Sequence, residues 1–304
     1  MSRTGRAGVG GALAMSFVGG SVAVSAGLSR APFLTVQALR YAVAAALLVA
    51  LCALTGRRIQ RPRGVEWLWL AGVTGCGLIL FNVALIVGGE HAEPAVLGVA
   101  VACVPVVLAA VGPLLEGSSP TARAVLAAAV VTLGAALVEG FGRSDAVGLV
   151  WAVVVFACEA GFTLLAMPLF ARHSPFGVSV HTTWLAAAGF ALPGVWREGP
   201  RAVLRLDATA LAATAFLAVF VTAGAFVLWY GCVASLGAAR AGLLTGIAPV
   251  AAAMTGVSLG HPFPGIGVWA GVAVVATGLA LGLRSRHATP ATRHSGEATE
   301  PTPV

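Results

Sequence analysis

The 304-residue chain contains no lysine, only two tyrosines, and charged side chains at just 10% of its positions. Each shortage excludes something. Without lysine there is neither a Walker A phosphate loop nor a lysine Schiff base. Cys52, Cys76, Cys103, Cys158 and Cys232 stand singly in five separate apolar stretches with no CxxC or Cys/His spacing, so they read as small hydrophobes and not as a metal site or disulfide frame. No HExxH, no clustered histidines and no loop long enough for a catalytic domain occurs. No cofactor and no metal are expected, and the chain does not read as an enzyme. The scarcity of charge reaches furthest: 59% hydrophobic residues against 10% charged cannot clothe a soluble surface, where about 45–50% and about 25% are usual.

The apolar residues are gathered in ten segments, approximately 8–28, 32–54, 66–88, 92–114, 119–138, 147–170, 176–196, 208–230, 236–259 and 263–283. Each approaches the roughly 20 helical residues that cross a bilayer core. None shows the two-residue alternation of an outer-membrane barrel, which leaves helices as the spanning solution. The net charge of +7 comes from 18 basic residues, all arginine. With a cytoplasmic N-terminus they follow the positive-inside rule, RRIQRPR at 57–63 giving the strongest vote. That distribution speaks for a lipid bilayer and against nucleic acid. Arg3 and Arg6 before the first apolar run resemble a signal peptide, but a run that feeds directly into further spans is better read as a retained first helix. Residues 1–7 and 284–304 are then cytoplasmic, the latter disordered by its Arg, Thr, Pro and Glu content.

HAEPAVLGVAVACVPVVLAA at 91–110 and SLGAARAGLLTGIAPVAAAM at 235–254 lie 144 residues apart. They share Ala95/Ala239, Gly98/Gly242, Pro105/Pro249, Val106/Val250 and Ala109/Ala253. The same offset carries Val130, Val131, Gly134 and Leu137 onto Val274, Val275, Gly278 and Leu281. Each half, 8–140 and 146–283, therefore holds five spans. Five is odd, so the second copy enters the membrane from the opposite side, an inverted-topology repeat suited to alternating access. Pro105 and Pro249, mid-span, are expected to kink their helices and free backbone carbonyls there.

Charged side chains inside a bilayer are functional candidates by default. Glu159 lies mid-way along the sixth span and Arg40 within the second. Two readings are open: Glu159 as a protonatable group that couples substrate movement to protons, or a structural Glu159–Arg40 pair that locks two helices. Gln37 and Arg40 map at the 144 offset onto His181 and Trp184, so the second and seventh spans each present a polar or aromatic pair three residues apart on one face. Asn82, Thr163, Thr222, Thr245 and Tyr230 are candidates for hydrogen bonds to substrate or to a neighbouring helix. Trp229 with Tyr230, and Trp67 with Trp69, are also open to reading as interfacial anchors.

QALRYAVAAALL at 37–48, the fourth-to-fifth span run LLEGSSPTARAVLAAAVVTLGAALV with Glu116, and the second-half stretches LWYGCVASLGAARAGLLTGIAPV and SLGHPFPGIGVWAGVAVVATGLAL together resemble the drug/metabolite transporter superfamily, specifically its EamA-domain members. The resemblance runs from about residue 10 to 283. It implies an inner-membrane carrier, often an exporter of amino acids, metabolites or drugs, driven by an ion gradient or exchange. It also implies a small-molecule cavity lined by spans one to four and six to nine, with five and ten as support. Where that family commonly ends its ninth span with Gly-Glu, this chain has Gly260 and His261. The expected architecture is an all-α integral membrane protein of ten transmembrane helices in two inverted five-helix repeats, with a homodimer left open. The alternative is a polytopic membrane enzyme or accessory subunit that handles a lipid.

Overall fold

A computed structural model describes residues 3–25, 28, 30–259 and 263–283. Gly260 and His261, and the tail from 284, lie outside them. The described chain is helical throughout, its β content limited to one isolated bridge between Ala92 and Ser144. The helices are α1 (Arg3–Ser25), α2 (Phe33–Leu54), α3 (Glu66–Gly72), α4 (Phe81–Gly89), α5 (Pro94–Ala102), α6 (Val104–Leu115), α7 (Ala122–Glu139), α8 (Ala146–Leu164), α9 (Pro175–Arg197), α10 (Ala208–Phe216), α11 (Ala225–Leu236), α12 (Ala238–Leu243), α13 (Ile247–Ser258) and α14 (Ile266–Leu283).

Several of these join end to end. Among the described residues, eight continuous rods are long and apolar enough to cross a membrane: Phe33–Leu54, Glu66–Gly89, Pro94–Leu115, Ala122–Glu139, Ala146–Ala171, Ala208–Leu236, Ala238–Ser258 and Ile266–Leu283. α1 and α9, 23 residues each, pack among them. Local chemistry starts the rods where the apolar runs begin. Thr121, Asp145, Ser174 and Asp207 each accept a hydrogen bond from the amide three residues on, at 3.3, 2.8, 3.2 and 2.7 Å, satisfying one of a helix's orphan donors. Gly140, at φ 78°, ends α7 in a conformation that favours glycine.

Two rods contain wide π turns. Val73–Leu80 joins α3 to α4 and Leu217–Gly224 joins α10 to α11; the two octets lie 144 residues apart, end for end. Two other rods are interrupted, one at Cys103 between α5 and α6, the other by the 3-10 turn Leu244–Gly246 between α12 and α13. The expected proline kinks take a particular form. Pro105 sits in the first turn of α6 and Pro249 in the first turn of α13, where a missing N–H costs no intrahelical bond. The interruption therefore precedes each proline instead of centring on it.

Helix pairs make the core. α7 packs along α14, with Ala127 and Val131 against Gly278, and Gly134 and Val138 against Gly271. As α7 advances α14 retreats, so the two run antiparallel, and the contacts are reciprocal: positions 127 and 131 meet the equivalent of 134, and position 134 meets the equivalents of 127 and 131. α2 runs antiparallel to α9 in the same way, Leu34 lying by Gly194 and Tyr41 stacking on Phe190 at 5.8 Å. α1 packs on α11 and α13, and α8 on α4, α5 and α6. Small residues permit these approaches where lipid gives helices no hydrophobic reason to associate.

Candidate functional site

A polar network forms where α2 meets both π-turned rods. Gln37, Tyr41, Ala44 and Leu48 make its buried stripe, the three- and four-residue spacing of one helical face. Arg40 flanks that stripe. Its Nε donates to Thr222 Oγ1 at 2.7 Å, its Nη1 reaches Gln37 Oε1 at 3.5 Å, and its guanidinium carbon lies 5.2 Å from the centre of the Tyr41 ring. Gln37 Nε2 donates to Asn82 Oδ1 at 3.1 Å, and Asn82 Nδ2 donates to Tyr41 Oη at 3.1 Å and to the Leu78 carbonyl at 2.7 Å. Thr222 and Leu78 both belong to π turns. The altered backbone there places the Thr222 hydroxyl against α2 and leaves the Leu78 carbonyl to hold the Asn82 side chain.

The second group lies between α8 and α11. Glu159 is half-buried and among the described residues has neither an ion-pair nor a hydrogen-bond partner. It lies within electrostatic reach of Tyr230, whose hydroxyl is buried and also lacks a partner. Thr163 Oγ1 accepts from Trp229 Nε1 at 3.1 Å. Tyr230 packs against Phe162 and Phe170 at 5.0 and 5.8 Å between ring centres. Trp229 and Tyr230 are 3% and 0% exposed, so they are core residues and not interfacial anchors. The Glu159–Arg40 ion pair is not formed: Arg40 is turned to neutral acceptors on α2 and the second π turn. Tyr41 and Tyr230, the two tyrosines of the chain, both belong to the main buried core cluster that lies between the two groups.

His181 and Trp184 form a third group, apart from the other two. Trp184 Nε1 donates to His181 Nδ1 at 3.3 Å, and His181 Nε2 lies 2.8 Å from the Gln60 carbonyl oxygen. A carbonyl only accepts, so the proton sits on Nε2 and the ring is neutral in this arrangement. Trp184 is 40% exposed and meets Trp67 edge-on at 6.3 Å. Beside them Glu66 accepts from Arg172 Nη2 and His173 Nε2, both at 3.1 Å, and Arg172 Nη2 also reaches the Arg61 carbonyl at 3.1 Å. The loop carrying Arg57 to Arg63 is thereby clasped to the α8–α9 connection. The pair at the 144-residue offset is thus intrahelically bonded in both copies, yet only the α2 copy enters the polar core.

Residues 7–140 and 146–284 each match the EamA-like transporter family. The chain belongs to that family. An uncharacterized transporter of Bacillus subtilis (strain 168), YetK, is 27% identical to it over 269 residues, 83% of this chain and 79% of the relative. A solved crystal structure superposes with a TM-score of 0.77 at 19% identity, covering 90% of this chain and 95% of the other; at that identity the likeness concerns the fold. A multi-pass membrane protein of an EamA-like transporter family is therefore the setting in which the three groups are to be understood.

Carboxylates in this EamA-like chain also tie helix ends across sequence distance, and sequence reasoning missed most of them. Glu198, after α9, accepts from Leu34 N at 2.9 Å and from Thr35 N at 2.8 Å, capping α2, which has no side-chain cap of its own. Glu116, after α6, accepts from Ala238 N at 3.0 Å and does the same for α12. Where α4 meets α5, Arg143 Nε donates to Glu93 at 2.8 Å and His91 Nδ1 lies 2.9 Å from Asp145. The Arg143 guanidinium holds the Glu93 carboxyl below the usual carboxylate range, and Glu93 in turn raises Arg143. The Gly148 amide, and then His91, hold Asp145 low. Tyr41 was legible in principle, since it stands next to Arg40 in a chain with two tyrosines; the Glu66, Arg172 and His173 cluster carried no local signal, its members being 106 residues or more apart in pairs with Glu66.

Proposed function

We propose that the protein is a secondary active transporter that exports a small metabolite, amino acid or drug by alternating access. In this reading ten spans form two inverted five-helix halves, 8–140 and 146–283, with both termini cytoplasmic in the inner membrane. The antiparallel, reciprocal seam of α7 and α14 supports the inversion. So does the Arg172–Arg61 contact, because four crossings separate those loops and an even number returns the chain to the same side.

One observation carries the coupling mechanism: Glu159, deep in a span, has among the described residues no counter-charge and no hydrogen-bond donor, and lies within electrostatic reach of Tyr230, whose buried hydroxyl is also without a partner there. A carboxyl so placed is costly as a fixed ion. It serves as a proton carrier that is loaded on one side and discharged on the other. Gln37, Arg40, Asn82, Thr163 and Tyr230 line the path of the substrate in this reading, and His181 with Trp184 guards the arginine-rich end. Movement is by rocking of the two halves, with the interruptions before Pro105 and Pro249 taking up the bend.

The test is flux in proteoliposomes under an imposed pH gradient, screened over amino acids and small metabolites. Wild-type protein is expected to move at least one of them, and Glu159→Gln to lose the gradient-driven component while retaining exchange. A Glu159→Gln protein that expresses fully and keeps unchanged gradient-driven flux removes the coupling role.

A further inference from the structure

Arg40 is the second charge within a span, and its surroundings differ in kind from those of Arg143 and Arg172 at the helix ends. Arg143 and Arg172 each meet a carboxylate. Arg40 meets a threonine hydroxyl, a glutamine carbonyl oxygen and the face of a tyrosine ring. All three contacts are neutral, and all three belong to residues that are 0–7% exposed. The guanidinium is therefore folded inward onto the core, seven residues or about 10 Å below the start of α2.

Its hydrogen-bonding capacity is far from used. A guanidinium carries five donors in a planar fork suited to two parallel bonds with an oxyanion. Nε is committed to Thr222, and the Nη1 contact to Gln37 is at the 3.5 Å limit. Nη2 has no acceptor among the described residues. It is not sealed off either, since the fully buried side-chain atoms without partners are Thr74 Oγ1, His173 Nδ1 and Tyr230 Oη. The free edge of the fork is thus neither bonded nor sealed, on a side chain that is only partly buried. Thr222 and Gln37 hold the base of the fork and leave that edge presented. The equivalent position of the second half is Trp184, so the feature is present once and is not a by-product of the repeat.

We propose that Arg40 is an anion-recognition group: it binds an oxyanion, carboxylate or phosphate, carried by the substrate, with Thr222 and Gln37 as positioning residues. This assignment rests on the carrier reading above and adds that the transported solutes bear a negative group. Glu159 and Arg40 remain separate because each acts on a different partner, a proton for one and the substrate's anionic end for the other.

The experiment uses the full chain purified in lipid nanodiscs, with thermal unfolding followed while succinate, methylphosphonate or inorganic phosphate is titrated against chloride at matched ionic strength. A saturable stabilisation by at least one oxyanion is expected, and which arm responds separates carboxylate from phosphate recognition. Arg40→Gln should abolish the response, and Arg40→Lys, which keeps the charge and loses the fork, should weaken it several-fold. If Arg40→Gln does not fold, Thr222→Val, which removes the hydroxyl that orients the fork, should weaken it likewise. No response beyond chloride in the wild type, or an undiminished response in Arg40→Gln or Thr222→Val, overturns the assignment. The carrier reading is judged by flux: gradient-driven flux without oxyanion binding removes only the role of Arg40, whereas oxyanion binding in a protein that moves no solute removes the carrier and leaves the site.

Discussion

The two halves of the chain agree most closely where nothing chemical happens and diverge where polar groups gather. At the seam, Val131, Gly134 and Leu137 have identical counterparts in Val275, Gly278 and Leu281, and the contacts are reciprocal. At the π turns the backbone repeats while none of the eight residue pairs is identical. In the polar core even the residue class changes, since Gln37, Arg40, Tyr41 and Asn82 stand where the other half has His181, Trp184, Leu185 and Phe226. Packing of backbone on backbone tolerates only glycine, and so preserves sequence. A π turn needs only a backbone offset and preserves shape. On the proposed carrier reading the polar core is a binding site used once, and symmetry there has no purpose.

That contrast can be tested from its strongest point downward. A Cβ added at Gly134 would come within 2.6 Å of the Val275 amide, and one at Gly278 within 2.8 Å of the Val131 amide. Backbone cannot step aside as a side chain can, so Gly134→Val and Gly278→Val should each cost at least the about 1–3 kcal/mol of an overpacked core, by nearly equal amounts in thermal unfolding. A tolerated Gly278→Val beside a damaging Gly134→Val breaks the equivalence of the halves at the seam. In the polar core the prediction is inequality. Asn82→Ala leaves the Gln37 amide and Tyr41 hydroxyl without a partner and should cost about 1–3 kcal/mol, whereas Phe226→Leu, its counterpart, should cost about 1 kcal/mol, as an ordinary core change does.

Smaller effects belong to the helix ends. His181→Ala gives up the bond to the Gln60 carbonyl, and protease cleavage between residues 57 and 63 is expected to rise several-fold with little change in global stability. Smallest is the acid response of the clasp at Glu93, Arg143 and Asp145. Both carboxyls are held below their ordinary values of 4.5 and 3.8, so what they contribute is present above those values and is lost as pH falls through the lowered native ones. A spin label at Glu90 should keep its mobility from neutral pH down to about pH 5 and gain mobility only below the ordinary carboxylate values. A change near neutrality would take the acid response away from the two carboxylates.

The rods were readable from sequence because charges and prolines mark the ends of apolar runs: the expected 66–88 and 208–230 became Glu66–Gly89 and Ala208–Leu236. The interruptions were half readable. Prolines 105 and 249 announced them, but a proline fits the first turn of a helix so well that the break falls before it. The π turns were not readable, since neither contains a proline and their sequences share nothing. Within the site, Glu159 and Arg40 were conspicuous as charges inside spans. Their separation was not, because spacing along two different helices says nothing about which faces meet. The clasp of Glu66 with Arg172 and the caps from Glu116 and Glu198 depend on tertiary proximity alone.

The Glu198 carboxylate has a consequence beyond capping. It serves the amides of Leu34 and Thr35 from 163 and 164 residues away, so the first turn of α2 borrows its stability from the end of α9. If those two ends draw apart, the turn loses its acceptor in the same instant, and parting and unwinding become a single event. Amide exchange at Leu34 and Thr35 would then count the occasions on which that end of the protein is open.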